Sequence, residues 1–364
     1  MSSRFARTFT AEPRVPQLDL DDWIGQRSAT FRFDYVDIIT GYRTPVTPLK
    51  TGGIPTVSHD VGRTITRQLS NANFGVVDTS LINVIAGRIE PFMVFTDAEY
   101  PLGRYMFNNQ TKFDWTSGTL CSCAMYDEGF IVDQQTSASF GAESNALNPL
   151  VDSLLQALLN GLPITVTIEP TTFTSSGAWP AGTSRGYIVE QLAIDGGYFS
   201  PWFDNTGVMR FIQAFDPATS VVTFDLDSGN RVLRGRATRT NDLIDAPNRF
   251  IVISNSANAI TETIASSYDV PSSAPHSIAN RGFVIAKTET RQLDTSVQAV
   301  AVARNLGLRQ TIFERVELYT APDPRHDGYD VLRWRGENWL ELAWSLPLIE
   351  GSEMQHIARK VYSQ

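Results

Sequence analysis

Apolar and polar residues alternate along most of this chain, and the alternation gives way to helical spacing at only a few places. Phe31, Phe33 and Tyr35 are separated by Arg32 and Asp34, the period-two pattern of a strand with one buried face. Segments 88–95, 103–113 and 119–132 continue in the same manner, with turns at Asp97-Ala98-Glu99 and at 114–118. Consecutive strands joined by short turns in so small a region predict closure into a barrel, which removes exposed edges.

Helical spacing first appears near residue 150. Asn148 is placed to cap a helix with Pro149 at its first position, and Asn160-Gly161 to end it. Leu150, Val151, Leu154, Leu155 and Leu158 form its apolar stripe. A strand at 164–168 and a Ser/Gly/Thr-rich loop follow. A second helix is then predicted, capped by Thr183 or Ser184, running through Ile194 and ended by Gly196-Gly197. Asp204-Asn205-Thr206-Gly207 turns between two aromatic strands.

After Pro217 strands return at 221–226, 249–254, 282–287 and 311–319, with a final hairpin and a short tail. One helix interrupts them, capped by Asp294 or Thr295, with a body through Leu306 and an end at Gly307. The run from Asn255 to Ser267 reads as a surface loop. In the final hairpin, face-matching puts Leu332 and Trp334 with Leu340, Leu342 and Trp344. That sets Arg333 opposite Glu341 and Trp334 opposite Leu340, around an odd-numbered loop centred on Glu337.

A length of 364 residues exceeds the usual limit of a single core. The pattern divides it into an extended N-terminal arm (1–28), a first β-barrel domain (29–145), an α/β insert (146–215) and a second β-barrel domain with one helix (216–364). The expected fold class is thus mainly β: two antiparallel β-barrel domains plus a small α/β domain.

Composition narrows the function. A 42% hydrophobic and 19% charged chain is ordinary globular material. The net charge of −9 argues against a surface built to hold nucleic acid. Cys121 and Cys123 are the only thiols. Two apart on a strand they share a face but are poorly placed to bridge, and they read as small buried hydrophobes. No segment has the length of a membrane span, and the N-terminus lacks the apolar core of a secretory signal.

Four stretches carry candidate chemistry. Gly182-Thr183-Ser184-Arg185-Gly186 matches the G-x-S-x-G nucleophile elbow of α/β hydrolases. The elbow needs a buried strand feeding the Ser, whereas residues 175–181 are small and polar and include Pro180, so Ser184 is expected to be a cap. Asp227-Ser228-Gly229 has the aspartic-protease D-[ST]-G form but lacks a second copy, and reads as a turn. The Asp204 turn lacks the spacing and closing Glu of a calcium loop. Asp323, Arg325, His326, Asp327 and Asp330 form the densest set of oxygen and imidazole ligands, yet Asp, Pro, Gly and His are also turn residues. Trp115, Trp202, Trp334, Trp339 and Trp344 mostly obey strand alternation and are assigned to the core. No catalytic, cofactor-binding or metal residue is assigned, and no cofactor is expected.

The order of several stretches resembles the tail-hub proteins of long-tailed (siphovirus-type) bacteriophages infecting actinobacteria, the minor tail proteins of the tail tip or baseplate. Besides the helix and the Asp204 turn into Val208–Ile212, the resemblance rests on 56–60, 87–93, 100–107, 246–252 and 322–331, and so covers the chain from about residue 30 onward. It implies a structural virion protein and not an enzyme: a homotrimer whose six barrels join a six-fold tail tube to a three-fold tip and gate the DNA channel. Implied partners are a distal tail or tail-tube protein, the tape-measure protein, and other tip and fibre proteins, with DNA only in transit and no membrane insertion. Assembly would take place in the host cytoplasm. The competing readings are a tail-associated hydrolase (esterase or wall-degrading) and a receptor-binding tail module.

Overall fold

The alternating pattern is realised as strands from the first described residues. The computed structural model describes residues 29–48, 53–62, 66–76, 83–96, 98–115, 118–136, 138–141, 149–228, 232–254, 264–291, 293, 295–310 and 313–362. The expected arm at 1–28, the Asn148 cap and Asp294 lie outside them.

The first region forms β1 (Thr30–Asp37), β2 (Arg43–Val46), β3 (Thr56–Asp60), β4 (Arg67–Val76), β5 (Gly87–Val94), β6 (Glu99–Pro101), β7 (Tyr105–Trp115) and β8 (Gly118–Tyr126). They pair in the order β3-β4-β8-β7-β5-β1-β2, with β6 on β5. Phe33, Tyr35, Val57, Leu69, Ile89 and Tyr105 fill its core. Asp34 departs from simple alternation: it lies on the opposite face yet is only 1% exposed, because Arg32 and Arg43 hold its carboxylate at 2.6 and 2.8 Å.

The middle region forms α1 (Gly129–Val132), β9 (Phe140–Gly141), α2 (Val151–Leu159), β10 (Thr165–Ile168), β11 (Ala178–Trp179), α3 (Arg185–Asp195), β12 (Trp202–Phe203) and β13 (Val208–Phe211). α2 buries Val151, Leu154, Leu155 and Leu158 as expected, but Leu150 precedes the helix and is exposed. α3 runs from Ser184, its N-cap, to Gly196, with Gly197 left-handed at φ +77°. Both helices pack on the mixed sheet β10-β13-β12 around Ile188, Leu192, Tyr198 and Phe211, the α/β unit that the pattern predicts.

The last region holds β14 (Phe224–Asp225), β15 (Val232–Asn241), β16 (Arg249–Ser254), β17 (Ile264–Asp269), α4 (Ile278–Arg281), β18 (Ala286–Arg291), α5 (Ser296–Gln310), β19 (Glu314–Thr320), β20 (Val331–Trp334), β21 (Glu337–Pro347) and β22 (Met354–Lys360). Several expectations change here. β15 and β22 were not anticipated, since both are rich in polar residues. Residues 264–267 belong to a strand and not to a loop, and the strand expected at 282–287 begins at Ala286 after a short helix. β16, β17 and β18 form a separate three-stranded sheet covered by α5, so this region contains a second α/β unit around Phe250, Val252, Val302 and Leu306. α5 does not stop at Gly307. The helix runs through that glycine, and a glycine suits the position since a Cβ there would stand 2.5 Å from the Tyr268 ring.

β21 decides the architecture. Its first half pairs with β20 and β22; after an extra residue, Leu342, its second half pairs with β22 and with β3. The bulge lets one strand serve both strand-rich regions. They therefore join in a single 14-stranded sheet, with β15 and β2 at the ends of its main path. Among the described residues no pairing closes either region into a barrel.

The expected hairpin register is also corrected. Trp334 pairs with Glu337, Leu332 with Trp339 and Val331 with Leu340. The loop is the two-residue Arg335-Gly336, with φ +53° and +73°, the left-handed pair of a primed turn. Face-matching failed because β21 is buried on both sides: Trp339 packs with Leu332, Trp334 and Val316, while Leu340 packs with Val331, Val61 and Tyr329.

Two outcomes follow. Gly307→Ala should lower stability by about 1–2 kcal/mol in denaturant unfolding, since the Tyr268 clash exceeds the helical gain of Ala. In a Tyr268→Ala background the same change should stabilise, and a loss there would refute the clash. His276 is fully buried, stacks on Phe313 with ring centroids 4.6 Å apart, and neither ring nitrogen has a hydrogen-bond partner among the described residues. Burial, helped by the Arg281 charge, pushes its pKa down to about 4. The unfolded chain therefore takes up this proton first as pH falls, and stability should drop from pH ~6.5 to ~4 by up to about 3 kcal/mol before levelling. His276→Phe should flatten that part of the stability profile; an unchanged slope would locate the effect elsewhere.

Candidate functional site

A dense set of buried polar groups lies where β4, the β12–β13 hairpin and residues 322–331 meet. Arg67, at the start of β4, is fully buried. Its Nε donates to Phe203 O at 2.6 Å, one Nη to Asn205 Oδ1, and the other to Asp327 Oδ1 at 2.8 Å. The guanidinium lies 5.1 Å from the Trp344 ring. Burial works against its charge, but Asp327 and neighbouring acids raise the pKa above the ordinary value. Its backbone N–H donates to Asp127, whose carboxyl burial pushes up to about 6 against these hydrogen bonds.

The Asp204 turn feeds this joint. Asp204 Oδ1 accepts from Thr206 N and Val208 N at 2.8 and 2.9 Å, and Arg210 Nε donates to Oδ2 at 2.6 Å. Every one of these bonds is internal to the hairpin, which accounts for the Asp, and Gly207 takes the left-handed φ of +77° that the turn needs. Held this way, Asn205 donates to Pro324 O and His326 O at 2.8 and 3.0 Å.

Residues 323–330, the ligand-rich stretch of the sequence, are drawn in different directions. Asp323 forms a two-pronged pair with Arg325 at 2.5 and 2.9 Å; burial would raise its pKa, but Arg325 and His326 lower it. Asp327 turns to Arg67 and to Trp202 Nε1, 2.9 Å away. His326 and Asp330 face inward. His326 Nδ1 lies 2.8 Å from Glu341 Oε2 and 3.8 Å from Asp330 Oδ2, and its ring stacks on Phe224 at 3.8 Å. His356 Nδ1 lies 2.6 Å from Glu341 Oε1.

Charge is strongly polarised in this cluster. Burial opposes ionisation throughout, yet Glu341 and its neighbouring acids push His326 up to about 9. The two histidines pull Glu341 down to about 2. For His356 burial prevails and the pKa falls, while burial raises Asp330 to about 7.

Arg67, Glu341 and His356 were not singled out from the sequence. The available signal was a charged or imidazole residue inside an apolar stretch, as in Trp339-Leu340-Glu341 and Met354–Ala358.

The other candidates sit apart from this cluster. Ser184 Oγ accepts from Tyr187 N at 3.2 Å and donates to Asp133 Oδ1 at 2.7 Å, the arrangement of a helix cap. Asp227 accepts from Arg335 N and Gly336 N, both at 2.6 Å, and so pins the β20–β21 turn. Trp202, Trp334, Trp339 and Trp344 are buried as expected. The side chains of Trp115, Cys121 and Cys123 lie outside the described residues.

No family model matches the chain, and no curated protein does. Solved structures do. Prophage tail protein gp18 from Listeria monocytogenes is similar with a TM-score of 0.59 at 9% identity, over 90% of this chain and 94% of its own. The tail protein from Neisseria meningitidis gives 0.58 at 11%, over 91% and 96%. The 43 kDa tail protein of prophage MuSo2 from Shewanella oneidensis gives 0.56 at 11%, over 90% and 98%. The fold is that of phage tail proteins. Each match covers nine-tenths of the chain or slightly more. Among the described residues no helix is long and apolar enough to cross a membrane.

Arg67→Met should cost ~3–5 kcal/mol, because it strands Asp327, the buried Phe203 carbonyl and the half-buried Asn205 Oδ1. Arg67→Lys should also destabilise, since one ammonium cannot reproduce three diverging donors. Combined with Asp327→Asn, the Arg67→Met loss should fall short of the sum of the single changes by ~1 kcal/mol or more. Strict additivity in denaturant unfolding would remove Asp327 from the joint.

Proposed function

We propose that this chain is a structural component of a phage tail tip, the hub that joins a six-fold tail tube to a three-fold tip. The observation that carries this reading is the likeness in fold to three tail proteins, two of them from prophages, each matched over more than nine-tenths of its length. In this role three copies form a ring, and each contributes two strand-rich regions, 29–145 and 216–364, as six units of similar shape facing the tube. Identical subunits in a closed ring meet through heterologous contacts, so the two regions would touch within a chain and between neighbours. The partners are a distal tail or tail-tube protein, the tape-measure protein, and other tip and fibre proteins. The hub closes the tube end and opens for DNA, and a channel lining poor in Arg and Lys lets phosphates pass unheld, in keeping with the net charge of −9.

A hydrolase reading would rest on Ser184, and the geometry favours it little. The hydroxyl caps α3 and donates to the Asp133 carboxylate, and among the described residues no imidazole is hydrogen-bonded to it, as the serine of a hydrolase triad requires.

Native mass spectrometry of the purified protein and a reconstruction of the tail tip test the proposal together. Three copies at the junction of tube and tip, around a channel without a basic lining, are the expected result. Six copies, a monomer in the assembled tip, or labelling of Ser184 by a fluorophosphonate probe would each overturn it.

A further inference from the structure

One cluster has no part in the hub role. His326, Glu341 and His356 are each no more than 2% exposed, and one ligand atom from each lies within 4.8 Å of the other two. They come from three places: the turn before β20, the residue of β21 that precedes the bulge, and the centre of β22. Bulges commonly re-aim a side chain, and this one turns Glu341 toward both imidazoles. A second carboxylate, Asp330, places Oδ2 at 3.8 Å from His326 Nδ1, while the same oxygen accepts from Asp327 N at 2.7 Å.

The hydrogen bonds around His356 indicate what lies between these groups. Thr320 Oγ1 is 2.9 Å from Ala321 O and 2.7 Å from His356 Nε2. The hydroxyl has one proton; given to the carbonyl, it leaves the oxygen to accept from Nε2–H. A neutral His356 protonated at Nε2 then turns the bare lone pair of Nδ1 toward Glu341 Oε1, 2.6 Å away. Two acceptors at that distance repel unless something positive is shared between them. An imidazole anchored through its far nitrogen, with its near nitrogen aimed at a carboxylate and a second imidazole, is how metal-binding histidines are held.

We propose that His326, Glu341 and His356, with Asp330 as fourth ligand, bind a divalent transition-metal ion, and that zinc is the ion best suited to them. Two imidazoles and two carboxylates are a borderline nitrogen–oxygen set that zinc accepts in tetrahedral form. Two neutral histidines, two carboxylates and a dication sum to zero, which removes the cost of an uncompensated charge in this buried position. Tetrahedral coordination sets ligand atoms about 3.3 Å apart, so one Glu341 oxygen moves to about that distance from both imidazole nitrogens, now 2.6 and 2.8 Å from its two oxygens, and the 3.8 Å Asp330 contact closes by roughly half an ångström. With four protein ligands the site has no open position for a substrate. The ion is structural: it ties the 322–330 turn and β22 to the strand that both strand-rich regions share.

The test uses the full chain, purified without a histidine tag or chelator, with metal measured by plasma mass spectrometry. About one zinc per chain after dialysis is expected, along with a fall in melting temperature after chelation that added zinc reverses. Cobalt(II) added to the stripped protein should give the visible bands of tetrahedral nitrogen–oxygen coordination. Glu341→Gln should retain less than about a tenth of an equivalent, and Thr320→Val should bind zinc ~10–100-fold more weakly while keeping every ligand. If Glu341→Gln does not fold, the wild-type stoichiometry, the cobalt spectrum and Thr320→Val decide. Wild-type protein that holds no zinc, gives no cobalt bands and melts identically with and without metal would overturn the proposal in favour of a proton-bridged cluster. Undiminished zinc in a folded Glu341→Gln variant would overturn it equally.

Discussion

The guanidinium of Arg67 is the constraint on which much of the arrangement depends. A charge with no exposure must be met from all sides at once, and its acceptors come from segments more than a hundred residues distant in sequence: Phe203 and Asn205 from the insert, Asp327 from the last region. The full set of contacts forms only when the insert and the last region have both docked on β4. The insert therefore docks in one orientation, with Phe199 and Trp202 against Tyr329, Val331 and Leu340. Apolar contacts alone would hold these surfaces together; the fork geometry of the arginine selects how they meet.

Local chemistry was legible in the sequence wherever one element could be read by itself. The cap at Ser184, the stop at Gly196-Gly197 and the Asp204 turn are set by neighbouring residues, and the structure has them where the pattern placed them. Elements whose environment comes from distant segments were not legible. β22 carries Gln355, His356, Arg359 and Lys360 and has no clean apolar face, because its polar side chains find partners inside the protein. The register of β20 and β21 differs from the expected one for a related reason: alternation locates a face only if the other face meets water, and at Trp339–Glu341 both faces of β21 are buried. The candidate cluster at His326 was half visible. Its turn stood out by composition, but Glu341 and His356 were hidden in strands whose neighbours only the fold supplies.

Likeness in fold at about one-tenth identity indicates which features such proteins can vary freely. In this chain the architecture is a matter of placement: an α/β unit between two stretches of strand, and a late strand that bridges them. Side chains that resemble catalytic motifs are used here for local geometry, Asp227 for a turn and Ser184 for a helix end.

The course of β21 also bears on how the protein is made. β3 is synthesised early, yet one of its edges is filled only by residues 343–347, roughly 280 positions later. At ~5–20 residues per second a ribosome needs about 15 to 60 s to cover that distance. Throughout that time the first sheet carries an unpaired edge with Val57 and His59 beside it, open to any extended segment nearby. Synthesis therefore passes through an interval in which the nascent chain is most vulnerable to joining another copy through the wrong strand, and that interval ends only when its own C-terminal hairpin arrives.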